Sequence, residues 1–387
     1  MVNDGNERPT GILSGVTILE LAGIGPVPFC GTFLADLGAK VIVVERVGAG
    51  ERPQSPAARL MNRGKRSITL NLRSPEGIAL ALKLGAQCDA VIEGMRPGVA
   101  ERLGVGPHQF HAINSRLVYG RMTGWGQSGP LANAAGHDLN YVALSGAAWF
   151  AGAAGSAPTP PPTMVGDIGG GALYLTVGVL AALLHAKATG KGQVVDAAIV
   201  DGTAHMSNLL LSLGAAGELD ETRGSSWIDG SPWYRCYGCA DGRWVAVGAL
   251  EPQFFAELMK KLGLDAEFSS DSQFDKSRWA AMEHRMAQVF SAQPRDAWCQ
   301  LLEGSDACFA PVLTPSEAAS HPHMVERRTY STHRGFLEAA AAPRFSGFPG
   351  APSGRDSPSP GQHTEETLDQ LGVTAETQAS LRAAAVI

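Results

Sequence analysis

Residues 16–45 read VTILELAGIGPVPFCGTFLADLGAKVIVVE, and this stretch decides the fold. Val16–Leu21 is an apolar, β-rich run, Gly23-Ile24-Gly25-Pro26 is a turn, and Phe33, Leu34 and Leu37 recur at helical spacing up to Gly38. Val41–Val44 is a second apolar run. Strand, helix and strand in this order make a β-α-β unit whose two strands lie parallel. The pattern continues with strands at Ser67–Leu72, Ala90–Glu93 and Leu117–Met122, and a helix at Pro75–Cys88. Alternation of this kind predicts an α/β fold: a Rossmann-like, open, mostly parallel sheet covered on both faces.

The same unit imitates a dinucleotide fingerprint, because Gly23-x-Gly25 follows a strand and Glu45 ends the next one. The third glycine position is Pro28, which cannot give the close helix–strand approach of a glycine. Arg46 beside Glu45 suits a phosphate better than a plain ribose. Basic residues are dense here, at Arg46, Arg52, Arg59, Arg63, Lys65 and Arg66. They read either as a solvated loop or as a phosphate-binding rim at the carboxyl ends of the strands.

Further along, Ile168–Leu184 is a continuous uncharged, mostly apolar run near the lower limit for a membrane span. It stands alone and opens on Gly169-Gly170-Gly171, so it reads as a fully buried core helix. A long helical stretch follows from about Ile199 to Gly217. From Trp227 to Val247 the texture turns aromatic and β-like, with Asp241-Gly242 as a hairpin turn. Helices at Gln253–Leu262 and Arg278–Phe290 complete a smaller α+β domain. The predicted layout is a large domain over 1–200, a linker helix over 201–228, the small domain over 229–319, and a return segment over 320–387. Residues 340–362, rich in Pro, Gly and Ser, form a surface crossing within that segment.

The chain has 387 residues, 44% of them hydrophobic and 18% charged, with a net charge of −6. This balance is that of an ordinary globular protein, and it gives no basic face for nucleic acid. Met1–Thr10 is polar and is not followed by an apolar leader core, so a cytoplasmic protein is expected. The six cysteines make no disulfide framework. Cys236-x-x-Cys239 lacks a second ligand pair nearby, so two cysteines on a hairpin is preferred to zinc.

Three polar sites stand out. In Ala135-Gly136-His137-Asp138-Leu139-Asn140-Tyr141, His137 is either a helix cap or a base. Asp167 precedes the apolar helix as an N-cap, where backbone N–H groups and the positive dipole end also favour an anion. Glu251, before Pro252, is again a plausible cap.

Taken together, several motifs are far more specific than any one of them. They are Leu34-Ala35-Asp36-Leu37-Gly38-Ala39, Arg63-Gly64-Lys65-Arg66-Ser67, Arg96-Pro97-Gly98-Val99 and Gly124-Trp125-Gly126-Gln127-Ser128-Gly129, then Ala135-Gly136-His137-Asp138, Gly190-Lys191-Gly192-Gln193-Val194 and Glu251-Pro252-Gln253-Phe254. Ser305-Asp306-Ala307-Cys308 and His363-Thr364-Glu365-Glu366 complete the series. From about Gly15 to Leu371 the chain resembles α-methylacyl-CoA racemases of the family III CoA-transferase (CaiB/BaiF) superfamily. The resemblance implies an interlocked homodimer whose large domain is built from both ends of the chain. It implies an acyl-CoA substrate shared between subunits, and no resident cofactor or metal.

By the same resemblance, His137 and Asp167 are the acid/base pair flanking the α-carbon, and Glu251 hydrogen-bonds His137 from the partner subunit. Arg46, Thr69, Leu70, Asn71, Leu72, Arg96, Ala135, Gly136, Asp138, Leu139, Asn140 and Tyr141 then line the CoA and acyl site. Backbone donors at the Asp167 helix start are expected to stabilise the enolate. The implied activity is racemisation of 2-methylacyl-CoA thioesters by 1,1-proton transfer. One alternative is CoA transfer through an acyl anhydride on Asp167; another is a non-catalytic acyl-CoA-binding protein. The chain departs from the family at Ser225–Tyr234, which is a residue shorter and carries two extra tryptophans, Trp227 and Trp233. That loop is expected to touch the acyl chain.

Overall fold

A computed structural model describes residues 11–21, 23–49, 56–348 and 354–387, with side chains from Arg59 onward in the second helix. Met1–Thr10, Arg52 and part of the 340–362 crossing lie outside the described residues. The chain divides into two compact units. The larger takes Met1–Ala147, Pro161–Met206 and Arg328–Ile387; the smaller takes Ala148–Pro160 and Ser207–Arg327.

The larger unit is built on six strands, β1 (Thr17–Leu21), β2 (Lys40–Glu45), β3 (Arg66–Thr69), β4 (Ala90–Glu93), β5 (Val118–Thr123) and β6 (Val194–Ala198). They lie in the order β3-β2-β1-β4-β5-β6, every pair parallel. This is the doubly wound order, with its reversal between β1 and β4. Continuous apolar runs such as Val41–Val44 form these strands because both faces of the sheet are covered. On one face Leu19, Ile42, Val44 and Ile68 pack with Leu80, Leu84 and Phe110, and with Leu368, Leu371, Val386 and Ile387 from the end of the chain. On the other, Ile18, Val41 and Ile92 pack against Val27, Cys30 and Leu34 of helix Pro26–Asp36, and Leu175, Val179 and Ala182 of helix Leu173–Thr189.

Within the basic cluster, Arg63, Lys65 and Arg66 are taken up by ion pairs inside the fold. Lys65 is buried and pairs with the buried Glu20 at 2.7 Å, its Nζ also donating to the Pro28 carbonyl at 2.9 Å. Burial pushes the Glu20 carboxyl up, and Lys65 opposes the shift. Arg63 and Arg355 both pair with Asp36, and Arg66 pairs with Glu366. The Ser67 N–H donates to His363 Nδ1 at 3.1 Å and its carbonyl accepts from the His363 N–H at 2.8 Å. The motif Arg63–Ser67 therefore ties the return segment to β3. Close helix–strand approach does occur near Pro28, but at Gly31, where a Cβ would lie 1.9 Å from the Glu20 carboxylate.

The apolar run after Asp167 is half-buried in the single chain rather than fully buried. Leu175, Thr176, Val179, Ala182 and Ala186 face the sheet, whereas Val177 and Leu184 are 65% and 70% exposed. The run is apolar all round, but only one side of it meets the sheet. Among the described residues Met164–Thr189 is the one helix long and apolar enough, by length and composition, to cross a membrane. The stretch expected as one linker helix is broken into Ile199–Met206 and Asn208–Ala215, the second with no buried residue.

The smaller unit carries the antiparallel strands β7 (Tyr234–Gly238), β8 (Trp244–Gly248) and β9 (Phe309–Val312), with Asp241-Gly242 in the turn between the first two. Helices Pro252–Leu262 and Lys276–Ser291 bury Phe255, Leu258, Met282, Met286 and Phe290 against them. Ala148–Pro160, which the sequence assigns to the large domain, joins this unit because Arg223 donates to the carbonyls of Ala151, Gly152, Ala153 and Ser156. Trp233 is fully buried in edge-to-face contact with Phe255, Phe274 and Trp279, and Trp227 packs on the same core. Trp233 is a core residue of this unit, and Trp227 is partly buried against it. Interior packing holds the Trp233 ring.

Candidate active site

Where the sheet order reverses, between β1 and β4, a cavity of about 290 Å³ opens at the carboxyl ends of the strands. Ligands of open α/β sheets bind in such a crevice. Its wall comes from the Ile24–Val27 turn after β1, from Gly94–Pro97 after β4, from Thr123–Trp125 at the end of β5, and from His137, Tyr141 and Asp167. Gly25 holds the first turn at φ 69°, in the left-handed region that favours glycine, and Pro26 starts the helix behind it.

His137 caps helix Asp138–Leu144 with an extended backbone, its N–H donating to Asn140 Oδ1 at 3.0 Å. The loop before it is braced by Tyr141, whose hydroxyl donates to the Gly136 carbonyl and whose ring meets Trp125 edge-on at 4.6 Å. Gly124 is needed beneath that ring, since a Cβ there would lie 1.9 Å from it.

Asp167 is not an N-cap. It sits in the first turn of a wide π-helical segment, Met164–Ala172, which Thr163 begins at φ 60°. The helix carbonyl–amide spacing here is one residue longer than in an α-helix, as in Ile168 N–H to the Thr163 carbonyl at 3.0 Å. The cap comes from another segment: Asp138 Oδ1 accepts the Asp167 N–H at 2.7 Å and Oδ2 accepts the Thr163 N–H at 3.1 Å. The Asp167 backbone donor is thus already used, which removes it as a donor to an enolate. Burial and the Asp138 charge push the Asp167 carboxyl above the usual aspartate range, against the opposing pull of His137. The Tyr141 hydroxyl is raised by burial and by Asp167, with Arg96 acting against both.

A second cavity, of about 630 Å³, lies at the carboxyl ends of β1–β3, lined by Val44, Arg46, Leu70, Asn71 and Leu72 among others. Met95 lines both cavities. The structure therefore brings Arg96, Ala135, Gly136, His137, Tyr141 and Asp167 to the first cavity, and Arg46, Leu70, Asn71 and Leu72 to the second. Thr69 turns away from the second and bonds Thr364. Asp138 and Asn140 serve backbone caps, and Leu139 is 57% exposed outside the wall. Glu251 starts helix Pro252–Leu262 in the smaller unit, where Gln273 Nε2 donates to the preceding carbonyls of Ala249 and Leu250 at 3.2 and 2.7 Å. Trp125, Ile24 and Met95 are wall residues that sequence reasoning missed; Trp125 lies in a motif that was read only as a family mark. Among the described residues no group of three or more His, Cys, Asp or Glu is placed to hold a metal, and Cys236 and Cys239 are free thiols.

Known proteins resemble this chain in sequence and in fold. An α-methylacyl-CoA racemase of Mus musculus is 41% identical over 94% of this chain and 94% of its own length. A succinyl-CoA–D-citramalate CoA-transferase of Chloroflexus aurantiacus is 33% identical over 99% of this chain and 100% of its own. The crystal structure of a CaiB/BaiF family protein from Brucella suis superposes with a TM-score of 0.77 at 26% identity, over 94% of this chain and 100% of that one. The sequence model of the CoA-transferase family III matches residues 13–364, and the chain belongs to that family.

Proposed function

We propose that this protein is a racemase that interconverts (R)- and (S)-2-methylacyl-CoA thioesters by 1,1-proton transfer. The observation that carries the reading is a single cavity lined by both His137 and Asp167. One base breaks the α-C–H bond, and its electron pair moves into the thioester carbonyl to give an enolate. The other group then donates a proton to the opposite face of that carbon, and a new C–H bond forms with inverted configuration. In one direction neutral His137 removes the proton and protonated Asp167 returns one; in the other, ionised Asp167 removes it and protonated His137 returns one. A carboxyl raised by burial and by Asp138 holds its proton further toward neutral pH, which suits it to both duties. The cavity beside Arg46 accommodates the CoA end, and the shared wall at Met95 links it to the reacting end. No resident cofactor is required by this chemistry.

The strong identity with a relative named as a racemase supports this reading. In the same reading the enzyme is a cytoplasmic homodimer in which Glu251 of one chain meets His137 of the other. CoA transfer through an anhydride on Asp167 is the second reading, and the full-length match to a CoA-transferase favours it. Incubating one stereoisomer of a 2-methylacyl-CoA in D₂O separates the two. Racemisation gives deuterium at the α-carbon together with loss of optical purity. No exchange, with CoA passing to an added carboxylic acid, selects the transferase. Tight binding with neither reaction selects a non-catalytic acyl-CoA-binding protein.

A further inference from the structure

We propose that Asp138 is the positioning residue that sets the distance between the two acid/base groups, rather than a contact for the substrate. This rests on the proton-transfer reading of the site. Asp138 is joined covalently to His137, and its carboxylate accepts the backbone N–H of Asp167 at 2.7 Å and that of Thr163 at 3.1 Å. One side chain therefore spans from the helix that carries His137 to the wide helical turn that carries Asp167. It is absent from the cavity wall, where both of those residues lie. The fit is tight: a Cβ at the buried Gly166 would come within 2.4 Å of Asp138 Oδ1 and 2.8 Å of Val142. An ionised carboxylate on two backbone donors makes stronger hydrogen bonds than a neutral acceptor would. A base displaced by as little as 1 Å loses on the order of 10² in rate, so this fastening matters to turnover.

The charged and titratable groups around Asp167 are His137, Asp138 and Tyr141 from the facing helix and loop, with Arg96 acting on Tyr141 from the strand-end turn. Removing the Asp138 charge removes a like-charge neighbour. The limb of the pH profile that belongs to Asp167 then moves to lower pH, whichever stereoisomer is supplied.

The test measures racemisation and α-deuterium exchange against pH for wild type, Asp138→Asn and Gly166→Ala, with circular dichroism to confirm folding. Asp138→Asn is expected to lower kcat by about 10²-fold with KM little changed, and to shift the Asp167 limb to lower pH. Gly166→Ala pushes the carboxylate aside without removing a charge, so kcat falls while the limb stays in place. Wild-type kcat in a folded Asp138→Asn or Gly166→Ala variant overturns the proposal. So does a loss confined to KM with the limb unmoved, which is the behaviour of a substrate contact. A wild-type protein that neither exchanges nor racemises refutes the proton-transfer reading itself, a different failure from these.

Discussion

Two residues carry the proposed chemistry, and each can be removed separately. His137→Ala and Asp167→Ala are each expected to lower racemisation by about 10²–10⁴-fold, as for any positioned acid or base. Acyl-CoA affinity, measured by calorimetry, is expected to hold in both; full activity in both variants would mean that the site is elsewhere. The raised Asp167 carboxyl also fixes signs in the pH profile. With the stereoisomer whose proton Asp167 removes, the carboxylate form is required. kcat/KM then falls as pH drops through the raised value, earlier than an unperturbed aspartate would allow. With the opposite stereoisomer the protonated form is required, and kcat/KM falls as pH rises through it. Acid limbs that coincide for the two stereoisomers would contradict the division of labour. At this scale the sequence singled out Asp167 for a structural reason that does not hold. An aspartate before an apolar run looks like an N-cap, because local sequence cannot show that Asp138, far back in the chain, already fills that role.

Among the elements, β1, β2 and β4 were legible because strands covered on both sides are continuously apolar. The basic stretch Arg63–Arg66 was not legible, because its partners Asp36, Glu20 and Glu366 come from other segments. The core position of Trp233 was not legible for a related cause, since an aromatic loop residue looks the same whether it meets ligand or core. The Lys65–Glu20 pair gives a direct test of what the basic stretch does. Lys65→Met strands a buried carboxyl and is expected to cost about 3–5 kcal/mol, read from the denaturant midpoint of the transition that includes β3. The double variant Glu20→Leu with Lys65→Met is expected to recover most of that loss. An unchanged midpoint in the single variant would return Lys65 to the role of a ligand-binding residue.

For the molecule as a whole, the covered parallel sheet follows from the alternation of strands and helices, whereas the strand order with its reversal is seen only in the structure. The assembly follows from neither, since only the resemblance implies it. Val177 and Leu184 of the larger unit, and Leu209 and Leu211 of the smaller, are each more than 60% exposed in the single chain. A second copy covering them is expected to give twice the monomer mass by light scattering. Val177→Glu with Leu184→Glu is expected to yield monomers with weakened racemisation, since Glu251 would lose its proposed reach to His137. A monomeric wild type with full activity would remove the shared-site reading.

The sheet face lined by Leu19, Ile42 and Ile68 also packs against Leu368, Leu371 and Val386, which are synthesised long after those strands. During synthesis the first strands therefore lack this part of their cover until the return segment has emerged. Complete packing of the larger unit waits for its return segment, and its nascent form is a natural client for chaperones that shield greasy surface. A chain stopped after Gln362 is expected to be digested rapidly by trypsin across β1–β3, where the full chain resists; equal resistance would show that the early strands settle without their final cover.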